Sequence, residues 1–251
     1  RAGVETWHAG AIGKDDGQIL YDVLEKSNVN LEYLKVLPET PSGHTFIQVD
    51  KEGQNCILVY GGSNQQITKE QVDKTLSAFS AKDYIFLQNE INEIAYIMEK
   101  ANKIGMKIVF NPSPMDEKID ILPLDCVDFF MVNEIEAAQL VNGDSDEELL
   151  DNLIRKYPAS HIIMTVGSRG AYYAHGEVRE HYGIFDVERV DTTAAGDTFT
   201  GYFMSSFALG KTPRESLETA SAASSIAVSR AGASSSIPTI TEVKEFLEKN
   251  R

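Results

Sequence analysis

The chain has 251 residues, 42% of them hydrophobic, enough for one substantial core with a small attached layer. Its 38 acidic against 23 basic side chains give a formal charge of -15 with no basic cluster, so a polyanion such as nucleic acid is repelled rather than steered in. No apolar run approaches the roughly 20 residues that span a bilayer, no signal-peptide pattern occurs, and Cys56 and Cys126 lie far apart without metal-ligand spacing, which together imply a soluble, cytoplasmic protein with no membrane partner.

The chain starts at Arg1 without an initiator methionine and enters an apolar stretch at once, so further N-terminal material is expected. Residues 4–12 read as a strand leading into the loop Gly13-Lys14-Asp15-Asp16-Gly17, after which Ile19, Leu20, Val23 and Leu24 have amphipathic helical spacing. Three strand-like pieces follow at 31–37, 44–49 and 56–60, the last two joined by a hairpin turn over 50–55. Beyond Gly62, helices at 69–79, 91–104, 134–141 and 147–157 alternate with short apolar strands at 84–87, 107–110, 129–132 and 162–166. Such alternation implies an α/β fold with a mostly parallel central sheet covered by helices on both faces. From Gly196 the chain reads as mainly helical, through Phe207, then over 213–228 and 241–247. Residues 1–30 and 65–251 form the expected core, and 31–64 an incomplete β lid with its return to the core. Apolar side chains such as Phe46, Ile57 and Val59 on those lid strands would suit a homodimer as well as a monomeric lid.

The strongest local chemical signal is Asp191-Thr192-Thr193-Ala194-Ala195-Gly196-Asp197, followed by the apolar stripe Phe199, Phe203 and Phe207. Small residues before a helix leave its first N–H groups accessible, and these donors with the helix dipole can hold a phosphoryl group. A carboxylate at Asp197 would repel phosphate but could accept a proton from an incoming hydroxyl. Helix capping by Asp197 stands equally open from spacing alone, as do capping by Asn133, an ordinary surface role for Glu136 and turn closure by Asp191. Glu90 follows a strand of the sheet, where open sheets collect ligands. The sequence holds neither a Gly-x-x-x-x-Gly-Lys-Ser/Thr phosphate loop nor a dinucleotide fingerprint: Gly167-Ser168-Arg169-Gly170 leads into the strand-like Ala171-Tyr172-Tyr173. The five histidines, His8, His44, His161, His175 and His181, show no metal-cage spacing and read as structural or surface groups.

The stretch DTTAAGD, residues 191–197, closely resembles the DTxGAGD signature of ribokinase-like (PfkB) carbohydrate kinases, with Ala194 in place of a glycine as in the ribokinase branch. Further landmarks in order resemble the same family: SGHTFIQVDKEGQNCILVYGGSN at 42–64, FLQNE at 86–90, NPSP at 111–114, VNEIEA at 132–137 and TVGSRGA at 165–171. The resemblance implies Asp197 as catalytic base, an anion hole from the backbone of Ala195 and Gly196, and a sugar contact from Glu90. It implies further that Asn133 and Glu136 organise magnesium and the phosphates of ATP through water, and that Thr165 and Gly167 lie along the nucleotide. Asp191 and the carbonyl of Thr193 would hold an activating potassium ion together with VSRAGASSS, residues 228–236, through the carbonyls of Val228, Ala231 and Ala233 and the hydroxyl of Ser236. The family's early aspartate and Gly-Gly-x-x-x-Asn sugar grip are absent from this sequence, which leaves fructose, nucleosides and 2-keto-3-deoxygluconate beside ribose as substrates. A noncatalytic sugar- or nucleotide-binding protein is disfavoured by the presence of Asp197, Asn133 and Glu136, and a nicotinamide-dependent oxidoreductase by the missing fingerprint.

Overall fold

The computed structural model describes residues 1–49 and 55–250. Of the expected hairpin turn at 50–55, residues 50–54 lie outside the described residues, as do the side chains of Ile57 and Cys56, while Asn55 already belongs to the following strand. The chain forms two compact units, one of Arg1–Val4, Ile108–Met115 and Val127–Arg251, the other of Glu5–Lys107 and Asp116–Cys126.

In the smaller unit, β1 (Gly10–Gly13) pairs in parallel with β2 (Leu34–Leu37), joined through helix α1 (Gln18–Lys26). The expected first strand is shorter than its apolar run: before Gly10 only Trp7 makes a bridge, to Asn30. Strands β3 (His44–Val49) and β4 (Asn55–Tyr60) form a separate antiparallel ribbon in which Phe46 faces Leu58. Phe46, Leu58, Val59 and Tyr60 are all exposed, so the ribbon carries apolar groups on both faces. The base of the ribbon is built from close backbone approaches: Ser42 donates N–H and hydroxyl to Asp16, and accepts from Gly13 N–H at 2.9 Å. Ser63, fully buried, donates to the Ala11 carbonyl at 2.7 Å and fastens the turn that follows β4 to β1. Helices α2 (Lys69–Leu76) and α3 (Ile94–Ile104) and strand β5 (Tyr84–Gln88) complete this unit.

In the larger unit, β6 (Lys107–Asn111), β7 (Phe129–Asn133) and β8 (His161–Thr165) run parallel, and β9 (Ala171–His175) and β10 (Val178–Tyr182) continue the sheet antiparallel. The period-two alternation of a strand explains how helices cover both faces. Phe129, Met131, Ile163, Ala171 and Tyr173 point to one side and join Phe199, Tyr202, Phe203, Leu217 and Val243 in one buried cluster. Those partners come from α6 (Ala195–Ala208), α7 (Pro213–Val228) and α8 (Ile240–Lys249). Phe130, Ile162 and Met164 alternate with them and are equally buried. The Phe130 ring packs tilted on that of Tyr157, with centroids 4.5 Å apart, just past α5 (Asp146–Lys156), which with α4 (Glu134–Leu140) lies on the opposite side. Among the described residues no helix is long and apolar enough to cross a membrane.

The turn between β8 and β9 depends on Gly170, whose φ of +98 and ψ of -137 fall in a region reserved for glycine. A Cβ there would stand 2.1 Å from the Tyr182 carbonyl oxygen. Gly170→Ala is expected to destabilise the protein by at least about 1–3 kcal/mol, read as a lowered urea midpoint at unchanged slope.

Candidate active site

The segment 191–197 enters α6 through Ala194, which adopts a left-handed conformation (φ 60, ψ 13) as the residue before the first helical turn. An L-residue in that conformation costs roughly 1–2 kcal/mol, which explains why the resembling signature carries glycine there. The turn makes Ala195, Gly196 and Asp197 the first three residues of the helix, and no side chain caps it. Ala195 N–H donates to the Thr192 carbonyl at 3.2 Å and Thr198 N–H to that of Ala194 at 2.9 Å. Among the described hydrogen bonds, the amides of Gly196 and Asp197 are left as the helix's uncommitted donors. Both residues are exposed, and no heavy atom lies within 4 Å of where a Gly196 Cβ would sit. Asp197 stands third in the helix, and no side chain, its own included, makes a capping hydrogen bond there.

Asp191 does close a turn, and it does more. One carboxylate oxygen accepts from Thr193 N–H at 2.9 Å, the other from Gly232 N–H at 3.0 Å, which fastens the 228–236 loop against the 191–197 segment. The Thr193 side chain, then the Thr193 and Gly232 amides, hold the Asp191 carboxyl below its ordinary range. The Val228 carbonyl accepts from both Val190 and Asp191 N–H, and that of Ala233 from both N–H and hydroxyl of the buried Ser236. Ala231 accepts from the Ser235 hydroxyl at 3.4 Å. Of the oxygens expected to hold a monovalent cation, the carbonyls of Val228, Ala231 and Ala233 already accept hydrogen bonds and the Ser236 hydroxyl donates one, so an ion would share or re-aim them.

Asn133 and Glu136 show the opposite behaviour from Asp197. The Asn133 side chain accepts from the amides of Ile135 and Glu136, and Glu136 Oε2 accepts from Asn133 N–H at 2.9 Å, a complete capping box. Burial pushes the Glu136 carboxyl up, against the hydrogen bonds from Asn133 N–H and the Ser113 side chain. Asn133 pairs in register with Thr165, and Thr165 with Ala171, so Asn133 and Thr165 end adjacent parallel strands at one level. Gly167, at φ +57, follows in an exposed turn. Among the described residues no group of three or more His, Cys, Asp or Glu could cage a metal. Magnesium that travels with a nucleotide is bound chiefly by phosphate oxygens and water, and Glu136, with one oxygen committed to its cap, fits a contact through water. Glu90 belongs to the smaller unit, is exposed just after β5, and its carbonyl accepts from Gln65 Nε2 at 2.9 Å.

Three supporting residues escaped the sequence reading. Ser113 lies in the NPSP segment and reaches Glu136. Arg230, in the 228–236 loop, pairs with Glu242 at 2.6 Å. Glu242 also closes a capping box on Thr239, and the Thr-x-x-Glu spacing at 239–242 was a readable signal for it. The third, Arg169, is bound to Asp146.

Residues 1–240 match the description pfkB family carbohydrate kinase. The chain is 31% identical over 256 residues to a ribokinase of Staphylococcus aureus, covering 98% of this chain and 83% of that protein. Its fold matches the solved structure of ribokinase from Thermotoga maritima with a TM-score of 0.78 at 32% identity, over 96% of this chain and 81% of that one. It also matches Arabidopsis thaliana ribokinase complexed with ribose and ATP, with a TM-score of 0.84 at 25% identity, over 97% and 82% of the two chains.

The hydrogen bond from Thr239 N–H, then Arg230 and the Thr239 hydroxyl, lower the Glu242 carboxyl from 4.5 to about 2. A depressed carboxyl contributes stability that is present above its unfolded value and lost as pH falls through the folded one. Stability should therefore decline as pH drops from 4.5 toward 2, and Glu242→Gln should flatten that part of the curve. Urea midpoints across this range, wild type against variant, check the expectation; parallel curves would remove Glu242 from the acid transition.

Proposed function

We propose that this chain, which belongs to the pfkB family of carbohydrate kinases, moves the terminal phosphoryl group of ATP to a primary hydroxyl of a sugar, with ribose the leading substrate. The observation that carries the reading is the exposed Asp197 carboxylate beside the two uncommitted amides of α6. Support for ribose comes from the ribokinase relatives.

In this mechanism the Gly196 and Asp197 amides, at the positive end of the helix dipole, stabilise the charge on the transferring phosphoryl group. The sugar hydroxyl oxygen attacks phosphorus, the bond to the ADP oxygen breaks, and the Asp197 carboxylate takes the hydroxyl proton late in the transfer. Open space around Gly196 lets the phosphoryl group approach the backbone directly. Thr165 and Gly167 line the nucleotide, while Asn133 and Glu136 meet its phosphates through water. Magnesium bound with ATP would be held through water by Asn133 and Glu136 and would offset negative charge on the phosphates. Glu90 binds sugar hydroxyls. The exposed Phe46 and Val59 make the β3–β4 ribbon the surface through which a second copy would pair.

Asp197→Asn keeps the shape and both amides but loses the proton acceptor. Turnover should fall by about 10²- to 10⁴-fold with ATP affinity within a few-fold; near-wild-type turnover of a purified sample would take Asp197 out of the base role. Potassium belongs to the reading as an activator that orders the Asp191 and 228–236 loops by drawing on carbonyls now engaged internally. Potassium titrated at saturating magnesium, with choline holding ionic strength, should raise turnover, and the response should vanish in Asp191→Ala. A flat wild-type titration would end the activator reading; a response retained in the variant would place the ion elsewhere.

A further inference from the structure

Arg169 occupies the turn that follows β8, within the segment assigned above to the nucleotide. Its guanidinium forms a fork on Asp146, with Nε at 2.8 Å from one carboxylate oxygen and Nη2 at 3.0 Å from the other. The same Nη2 lies 3.6 Å from Glu134 Oε1. Asp146 opens α5 and Glu134 opens α4, directly after Asn133. One side chain therefore joins the turn to the first residues of two helices. Its backbone is held as well: Arg169 N–H donates to the Val166 carbonyl at 3.1 Å, and its own carbonyl oxygen is 2.8 Å from His181 Nε2. The Gly167 Cα is close enough to this network that a Cβ there would stand 3.8 Å from Glu134 Oε1.

The fork matters because of what it holds together. Asn133 and Thr165 are level through strand pairing, but Gly167 lies beyond the strand and has no ladder to fix it. Most exposed ion pairs contribute little, yet a two-point guanidinium–carboxylate fork is the geometry that does hold a loop. Asp146 is well covered, at 17% side-chain exposure, which shields its side of the fork from water. The guanidinium also sets a positive charge between Glu134 and Asp146, carboxylates that would otherwise oppose a polyphosphate.

We propose that Arg169 is a positioning residue for nucleotide binding: it locks the 167–170 turn onto the N-terminal turns of α4 and α5, so that Asn133, Thr165 and Gly167 form one rim before the nucleotide arrives. The inference rests on the reading that Thr165 and Gly167 line the nucleotide. Arg169 acts through Asp146 and need not touch a phosphate.

The test is a double-mutant cycle on the full chain, with Arg169→Ala, Asp146→Ala, their combination and Arg169→Lys. Two readouts are needed: the apparent KM for MgATP against kcat, and amide hydrogen exchange over 165–171 and 133–137. Each single alanine variant should raise KM by about five-fold, with the change carried by KM rather than kcat. The combined variant should show no further rise, Arg169→Lys only partial recovery, and exchange should quicken over 165–171 in every variant. Additive rises, or a tighter nucleotide in Asp146→Ala, would overturn the proposal and mark Arg169 as a direct phosphate ligand. Unchanged exchange over 165–171 would overturn it too. If wild-type protein binds MgATP but phosphorylates no sugar, the kinase reading fails, while nucleotide titration and exchange still decide the clamp.

Discussion

Parallel pairing of β7 with β8 brings Asn133 level with Thr165 at the ends of adjacent strands, the two residues from which α4 and the 167–170 turn continue. The pairing holds because both faces of these strands are buried: Phe129 and Met131 pack with α6 and α7, while Phe130 lies against Tyr157 on the other side. A slip of one residue would exchange the two apolar sets and separate Asn133 from Thr165. The level at which Asn133 meets Thr165 is thus a consequence of core packing, not of an interaction between those two residues.

Two helix N-termini in the same unit are treated in opposite ways. Helix α4 is closed by the Asn133–Glu136 capping box, whereas α6 starts from a strained alanine with no side-chain cap. Closing a helix end is worth roughly 1 kcal/mol, and leaving α6 open at a left-handed Ala194 forgoes that gain and adds strain. Its stability comes instead from burial, since Phe199, Tyr202 and Phe203 anchor the helix from behind. A helix held by its far side can keep its first donors free for a ligand.

Most of the architecture was legible because periodicity reports burial. The 44–49 strand and the 213–228 helix have the bounds their patterns suggested, while residues 4–9 read as strand from apolar content but form the single Trp7–Asn30 bridge, with hydrogen bonds from His8 N–H to Asn30 and from Asn30 N–H to Thr6, rather than a ladder. Strand β10 went unnoticed because Val178-Arg179-Glu180-His181-Tyr182 is polar at its centre and is held as a strand by its antiparallel ladder to β9. At the site, DTTAAGD marked the open helix through its run of small residues. What spacing could not reveal was how the acids are engaged: both Asp191 oxygens and one Glu136 oxygen accept from backbone amides, whereas Asp197 makes no capping bond. Glu136 and Asp197 each stand third in their helix, so the difference follows from the residue before the helix, an extended Asn133 in one case and a left-handed Ala194 in the other.

The same division accounts for how a chain of charge -15 can present a surface to a polyphosphate. Glu136, Asp146, Asp191 and Glu242 each accept from a backbone amide, a guanidinium or both, so their charge is turned inward onto donors the fold already supplies. The cations that take part, Arg169 and Arg230, are likewise engaged with carboxylates and do not form a basic patch. Attraction for an anion is then left to the unspent backbone donors of α6, whose reach is about one helical turn. In the proposed mechanism such a site discriminates by shape and distance: a phosphoryl group would be held against Gly196, beside the Asp197 carboxylate assigned there as proton acceptor.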